Sequence, residues 1–369
     1  MIADVDAASV ITAAQSGAQY GTKLIWFLIV LAVPLFLIQE VAGRVGAVTG
    51  KGLGELIREN FTKRVAIMAA IPMAVVDMIS YVVDYTGVAI GFQILGLSPR
   101  ISVPVVFLCH VLLVYRRKYA QAERPLLVIS ILFVFAWIAS AYMTARGGIQ
   151  FTPFYFEASS SFLWLIAANV GAVIMPFMLF YQASATAEKR TTRLWAMRTE
   201  TLVGAIASEL GMIVVAVATS GLSSSLNFAD PKALALALSS LAGPYAPYVF
   251  AVGLVAAAFL ALVVISLGSS WAIVDTMGWR KESFLWVYVA ESAPAVVIPI
   301  LYPEPLSLVL DLMVIFVFVL VGPGVLMGLM STNKRIMGEY ASGSGWRAAY
   351  WLSLAVVIGF GIVAVAAAL

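Results

Sequence analysis

Long apolar runs recur along the chain, separated by short polar stretches. Most runs hold about 20 residues or more, the length an α-helix needs to cross a bilayer. The pattern predicts ten helices, near 23–43, 65–95, 102–115, 125–144, 162–187, 199–221, 246–273, 284–301, 306–330 and 347–369. A shorter element over 6–20 is predicted as half a helix, since it cannot span by itself. The sequence therefore predicts an all-α integral membrane protein with about eleven transmembrane helices.

The two longest polar connections cover 44–64 and 222–245, and neither is long enough to form a separate soluble domain. The whole chain, 1–369, is therefore expected to be one transmembrane domain. The first connection is predicted to contain an amphipathic helix at the membrane surface, because its apolar side chains share one helix face. These are Leu53, Leu56, Ile57 and Phe61.

Composition narrows the class of protein further. Hydrophobic residues make up 62% of the chain and charged residues 11%, against about 45–50% and about 25% in an ordinary soluble domain, which excludes a soluble enzyme. A net charge of +3 is too small for a nucleic-acid partner to be expected. A single cysteine, Cys109, and a single histidine, His110, exclude a disulfide framework, a thiolate zinc site and a histidine-rich catalytic centre.

The basic residues separate into alternate connections. Eighteen of the 22 Lys and Arg residues lie in one set of connections, and only Lys23, Arg100, Arg146 and Lys232 lie in the other. Cytoplasmic loops collect Lys and Arg. We therefore expect a multi-pass protein of the plasma membrane whose first element starts in the cytoplasm and whose C-terminus lies outside.

A break in the helix near residue 174 is predicted from Pro176. Proline lacks an N–H and clashes with the carbonyl four residues earlier, at Ala172. Within a membrane, freed carbonyls are tolerated only where they line a cavity or a site. The Met175 thioether beside them is a soft ligand that favours transition metals. The alternative is a simple proline kink with a core methionine.

Five helices earlier, two carboxylates and a hydroxyl directly precede the first apolar helix, in the segment Asp4-Val5-Asp6-Ala7-Ala8-Ser9. Such residues also cap helices without further function. Irregular elements at matching positions of two halves are typical of transporters built from inverted repeats. This spacing predicts a first repeat over 1–144, a second over 162–330 and an additional C-terminal helix over 347–369.

Further acids fall within predicted membrane helices, where a charged side chain is costly and usually faces a cavity. Asp77 and Asp84 are seven residues apart and share a helix face with Tyr81 between them, so they could line a water-filled path. Glu209 and Glu291 are further candidates. The alternative for each acid is a buried pairing with a serine, a tyrosine or the backbone.

Several sequence blocks resemble the Nramp family of divalent-metal transporters, and the resemblance extends nearly end to end. The strongest blocks are SGAQYGTKLIW at 16–26 and AVTGKGLGEL at 47–56, with further matches at 87–99, 175–176, 253–257 and 331–339. The resemblance implies a LeuT-like inverted repeat of five plus five helices in which the first and sixth are broken.

The resemblance also implies a metal site. The family's metal motif DPGN falls on residues 6–9, so that the acid is kept as Asp6 and the asparagine is replaced by Ser9. Its second metal-binding motif, Ala-x-x-Met, falls on Ala172 and Met175. Asp84 falls on the carboxylate of the third helix.

Other family positions are changed. Phe177 and Gln182 stand where the family has histidines, Tyr81 replaces a carboxylate, and the arginines of the ninth helix are absent, with Glu291 nearby. These positions serve proton movement in the family, so proton coupling is expected to be weak or absent. The candidates for an ion or proton path are Asp77, Asp84, Gln182, Glu209 and Glu291.

The expected function is import of divalent cations such as Mn²⁺ or Fe²⁺, with no cofactor, no protein partner and the lipid bilayer as surroundings. An Nramp-related Mg²⁺ transporter is the alternative, although Met175 is retained and a thioether contributes little to Mg²⁺. A carrier of organic solutes is a third possibility. The acid at the first break argues against it, because an acid would repel a carboxylate substrate. No motif of an intramembrane protease is present, so an enzyme is not expected.

The start of the chain differs from that of the family. The resemblance implies about another half-helix before the position of Asp6. We therefore expect either a start upstream of Met1 or an incomplete transporter.

Overall fold

The computed structural model describes residues 6–115, 135–136, 138–144, 152, 154–189, 193–228, 230–301 and 309–369. Within them the regular structure is helical throughout. The main helices are α1 (Ala7–Tyr20), α2 (Ile25–Thr49), α3 (Leu53–Asn60), α4 (Lys63–Ile94), α5 (Pro99–Tyr115), α6 (Ser160–Val173), α7 (Pro176–Lys189), α8 (Leu194–Thr219), α9 (Pro231–Ala242), α10 (Ala246–Met277), α11 (Phe284–Leu301), α12 (Val309–Val319), α13 (Val321–Thr332), α14 (Lys334–Met337) and α15 (Ser344–Ala368).

Eight helical segments of the described chain are long and apolar enough to cross a membrane, with α6 and α7 counted as one segment and α12 and α13 as another. α5 is a shorter apolar helix. The predicted helix over 125–144 and the first residues of the one over 306–330 fall largely or wholly outside the described residues. The all-α membrane class is confirmed, whereas the count of eleven is not.

The interruption of the last long segment before α15 has a local cause. Pro323 cannot donate to the carbonyl of Val319, four residues earlier. The structure accordingly ends α12 at Val319 and begins α13 at Val321, with Leu320 between them. Leu320 itself keeps right-handed helical backbone angles, and α12 and α13 together form one apolar segment, as the sequence pattern predicts for this part of the chain.

The structure agrees with the prediction for the polar connection over 44–64 and differs from it for the one over 222–245. α3 buries Leu53, Leu56 and Ile57, and Phe61 packs half-buried against the core, which is the predicted amphipathic face. The connection over 222–245, by contrast, contains α9, which the prediction missed. Its start is marked by Asp230, whose side chain caps the backbone N–H groups of Lys232 and Ala233, a capping arrangement that stabilises helix N-termini.

The broken elements occupy the centre of the bundle. α1 packs against α4, α6, α8, α10 and α12, and most of its residues are buried. The segment formed by α6 and α7 is the most enclosed of the candidate spans, with 89% of its apolar window buried. α4 lies against α10 and α11, while α2 lies against α7 and α8. The irregular backbone of the chain is therefore surrounded by protein. A membrane requires this, because backbone N–H and C=O groups without a helical partner are tolerated there only within protein or beside a water-filled cavity.

Candidate metal centre

The break between α6 and α7 releases the carbonyl of Ala172 from the helical hydrogen-bond pattern. α6 ends at Val173, where the N–H of Ile174 still donates to Val170 O at 3.0 Å. α7 begins at Pro176, which has no N–H for the carbonyl of Ala172. The predicted break is therefore present, and Ala172 O is available to a partner from another helix.

That partner is Ser9 on α1. Asp6 is the N-cap of α1, and its Oδ1 accepts from the Ser9 N–H at 2.6 Å. Ser9 Oγ lies 2.6 Å from Asp6 Oδ1 and 3.0 Å from Ala172 O. A hydroxyl has one proton, so it can donate to only one of these two acceptors at a time. Three oxygen atoms from two distant segments therefore converge with a single proton among them.

Asp84 on α4 adds a second carboxylate to this point. Its Oδ1 accepts from the Ala7 N–H at 3.0 Å. The remaining oxygens, Oδ2 of Asp6 and Oδ2 of Asp84, are buried without a hydrogen-bond partner among the described residues. The positive end of the α1 dipole favours two carboxylates here. No Lys, Arg or His forms an ion pair with either in the described chain, so a divalent cation would match their combined charge.

Met175 lies in the break itself, three residues after Ala172, and is fully buried. The described residues contain no group of three or more His, Cys, Asp or Glu side chains placed to hold a metal. A cation at this point would take two carboxylates, the Ser9 hydroxyl and the Ala172 carbonyl as oxygen ligands, and the Met175 thioether from the same break would be a soft donor.

A second polar cluster lies about 10 Å along α4 from Asp84, the rise of seven helical residues. Asp77 is fully buried beside Ser269 of α10 and Glu291 of α11. Ser269 Oγ donates to Glu291 Oε1 at 3.1 Å. The predicted shared face of Asp77, Tyr81 and Asp84 is thus directed into the protein. Tertiary packing places Glu291 beside Asp77, at one end of this face.

Sequence reasoning missed the network that joins these helices. His110 of α5 is fully buried, with Nε2 2.6 Å from Ser266 Oγ and Nδ1 3.0 Å from the Tyr85 hydroxyl. Tyr81 also donates to Ser266 Oγ, at 3.1 Å. The members come from three helices with no common spacing in the chain, so no local signal connects them.

The structure also places the other residues that the sequence analysis singled out. Gln182 is on α7, seven residues beyond Met175, and donates to Thr201 Oγ1 of α8 at 3.3 Å. Phe177 is buried against Phe316, with ring centroids 6.4 Å apart. Glu209 is buried on α8. Asp4 lies outside the described residues.

A multi-pass helical bundle with a centrally broken segment, in which buried carboxylate, hydroxyl and carbonyl oxygens meet, is the architecture of a membrane transporter. The chain matches the family described as natural resistance-associated macrophage protein-like, Nramp, over residues 1–367. It therefore belongs to the Nramp family. It is a transporter of divalent metal ions and not an enzyme.

Solved structures show the same fold. An Eremococcus coleocola manganese transporter, in complex with an aromatic bis-isothiourea substituted compound, matches 98% of this chain and 83% of its own, at 16% identity and a TM-score of 0.77. MhsT in complex with L-phenylalanine matches 98% of each chain, at 11% identity and a TM-score of 0.63. MHP1, a nucleobase-cation-symport-1 family transporter, matches 98% and 88%, at 13% identity and a TM-score of 0.56. The LeuT-like architecture is thereby confirmed.

Proposed function

We propose that this chain imports divalent metal ions of the Mn²⁺ and Fe²⁺ kind through a site formed by Asp6, Ser9, Ala172 and Met175. The observation that carries the proposal is the position of Ser9 Oγ, which lies within 3.0 Å of both Asp6 Oδ1 and Ala172 O. Asp84, bound to the Ala7 N–H, supplies the second negative charge next to this point. The structural match to a manganese transporter supports the choice of cation.

The carboxylates also weigh against a carrier of amino-acid-type solutes. Two buried acids at the N-terminus of α1 would repel a substrate carboxylate, whereas they attract a cation. Mg²⁺ transport is the remaining alternative, because Mg²⁺ prefers oxygen ligands and keeps several of its waters. The Met175 thioether should distinguish Mn²⁺ from Mg²⁺, since a thioether strengthens the binding of a borderline or soft ion and adds little to the binding of Mg²⁺.

Replacement of Met175 by alanine tests this selectivity. We expect Met175→Ala to weaken Cd²⁺ binding by roughly tenfold or more and Mn²⁺ binding by less, because a soft ion gains most from a thioether. Mg²⁺ binding should be unchanged or improved, since the smaller side chain leaves room for a water. Isothermal titration calorimetry of the purified transporter with each metal measures the three affinities.

The matched control is Met178→Ala. Met178 is equally buried but lies inside α7, beyond the break, so its loss should affect stability and leave the order of metal affinities unchanged. A wild-type protein that binds Mg²⁺ as well as Mn²⁺, with neither affinity altered by Met175→Ala, would identify Met175 as packing and favour the Mg²⁺ alternative.

We further propose that proton coupling is weak or absent. Phe177 is packed against an aromatic ring and Gln182 is bonded to Thr201, so neither position offers a titratable group next to the metal. Addition of Mn²⁺ to proteoliposomes containing a pH-sensitive dye should therefore cause little internal acidification. The matched measurement is Mn²⁺ influx in the same vesicles. Acidification comparable to the metal influx would contradict this proposal and would point to Asp84 or Glu291 as proton carriers.

We also propose an orientation in the membrane and a division of the chain into repeats. The distribution of Lys and Arg favours a plasma-membrane protein with an external C-terminus. The matching positions of α1 and of the break between α6 and α7 favour repeats over 1–144 and 162–330, followed by the helix over 347–369. Labelling of a single cysteine introduced at Leu369, in a Cys109→Ser background, by a membrane-impermeant maleimide on intact cells tests the orientation directly.

A further inference from the structure

A buried ion-pair cluster lies far from the metal site, at the ends of α2 and α8 where basic residues collect. Glu40 of α2 is fully buried. Its Oε1 accepts from Arg44 Nε at 3.0 Å and from Arg198 Nε at 2.8 Å. One carboxylate therefore faces two guanidinium groups, and the cluster carries an excess positive charge.

Arg198 carries the positive charge that Glu40 does not balance. Arg44 is buried and uses its whole donor fork, since Nη1 donates to Tyr340 O at 2.8 Å and Nη2 to Ser342 Oγ at 2.9 Å. Arg198, on α8, meets Glu40 through Nε, while 41% of its side-chain surface is exposed. Its guanidinium lies over the Trp346 ring of α15, 5.1 Å from the centroid. Among the described residues no acceptor is bound to the terminal amino groups of Arg198, so these groups can bind an anion.

Arg198 stands at the start of a surface that faces lipid. On α8, Trp195 and Leu202 lie three residues before and four residues after it and are 66% and 43% exposed. Residues at these spacings share a helix face, and the exposed apolar surface continues along α8 through Ile206 and Leu210. An exposed tryptophan at the end of such a stripe is typical of the headgroup level of a bilayer.

α2 provides a second apolar strip that leads away from the cluster. Ile29, Val33, Phe36 and Glu40 follow one another at spacings of four, three and four residues, which places them on one face of α2. Ile29 and Val33 are exposed, and Phe36 contacts Trp346, with ring centroids 6.3 Å apart. Because α2 packs against both α8 and α15, this strip runs from the Arg198 guanidinium toward the opposite side of the membrane.

We propose that the corner formed by α2, α8 and α15 binds an anionic phospholipid, with its phosphate on Arg198 and an acyl chain along the strip of Phe36, Val33 and Ile29. A guanidinium fork matches phosphate oxygens bidentately. Arg347, one residue after Trp346, is exposed and has no ion pair among the described residues, so it supplies a second cation at the same level. The apolar strip distinguishes a lipid from free phosphate, which would use only the cationic part.

Native mass spectrometry of the full chain in detergent, with phosphatidylglycerol or phosphatidylcholine added, tests this proposal. We expect wild type to retain phosphatidylglycerol in preference to phosphatidylcholine. Arg198→Gln should weaken phosphatidylglycerol retention about fivefold, the factor that corresponds to roughly 1 kcal/mol for one basic residue at a membrane surface. Arg347→Gln should weaken it by less. The matched control is Arg280→Gln, which removes a side chain that is 89% exposed and paired with Glu282, and should change nothing.

Arg198→Lys keeps the pair with Glu40 and provides folded protein if the glutamine variant does not accumulate. It too should bind phosphatidylglycerol more weakly than wild type, because lysine lacks the fork. Wild-type retention in both Arg198 variants would overturn the proposal. It would also be overturned if inorganic phosphate competed for the site as well as phosphatidylglycerol does, since the apolar strip would then have no role.

Discussion

Asp6→Ala is expected to reduce metal uptake by at least about 100-fold, the equivalent of roughly 3 kcal/mol for a buried cation that loses one of its charge partners. Asp6 Oδ1 organises Ser9, and its Oδ2 is buried without a partner among the described residues. Loss of the carboxylate therefore removes a ligand and also releases the hydroxyl that faces Ala172 O. Uptake of Mn²⁺ into proteoliposomes loaded with a metal-sensitive dye measures the effect.

Asp6 also caps α1, so the control must separate capping from metal binding. Asp230→Ala removes the corresponding cap from the exposed start of α9, and loss of such a cap costs about 1 kcal/mol. It should leave uptake near the wild-type level. Asp6→Ser, which can still cap α1 but carries no charge, should be as inactive as Asp6→Ala. Uptake at the wild-type rate by Asp6→Ser would show that the charge is not a ligand.

Gly171→Ala should destabilise the protein by roughly 3 kcal/mol or more, at the upper end of the cost of overpacking. A Cβ at this position would overlap the carbonyl oxygen of Met313 on α12. The obstacle is backbone, which cannot move aside as a flexible side chain can. Gly171 directly precedes Ala172, so a shift of α6 would also displace the carbonyl that faces Ser9. Thermal unfolding in detergent and Mn²⁺ uptake should both report the loss.

The control for this prediction is Gly359→Ala in α15. A Cβ there meets nothing within 4 Å, and alanine favours a helix over glycine by about 1 kcal/mol. This variant should be neutral or slightly more stable. If Gly171→Ala unfolds at the wild-type temperature and transports normally, then α6 and α12 are not packed as closely as the structure indicates.

Asp77 of α4 and Glu291 of α11 form a second buried acidic cluster within the membrane-spanning part of the chain. Both acids face Ser269, and Tyr81 occupies the turn between Asp77 and Asp84. The adjacent network of His110, Ser266 and Tyr85 ties α4, α5 and α10 together. The polar face of α4 is thus satisfied only in part: Tyr81 and Tyr85 have hydrogen-bond partners, whereas Asp77 and Oδ2 of Asp84 have buried carboxylate oxygens without one among the described residues.

The sequence by itself determined the membrane class, the positions of most helices and the break at Pro176. These features follow from local causes, namely the length of apolar runs and the missing N–H of proline. The Nramp resemblance, together with the motif residues Asp6, Ser9, Ala172 and Met175, also stands in the sequence. α9 was missed, because a short helix in a polar connection gives a weak pattern.

The tertiary structure alone gave the hydrogen bonds and ion pairs between polar groups that are distant in the chain. Ser9 and Ala172 are 163 residues apart in the chain and lie within 3.0 Å in space. His110 and Ser266 are 156 residues apart and form one network. Arg198 reaches Glu40 across 158 residues. Periodicity reports which face of a helix is buried but not which helix it will face, and a buried polar group is satisfied only by the partner that packing brings to it.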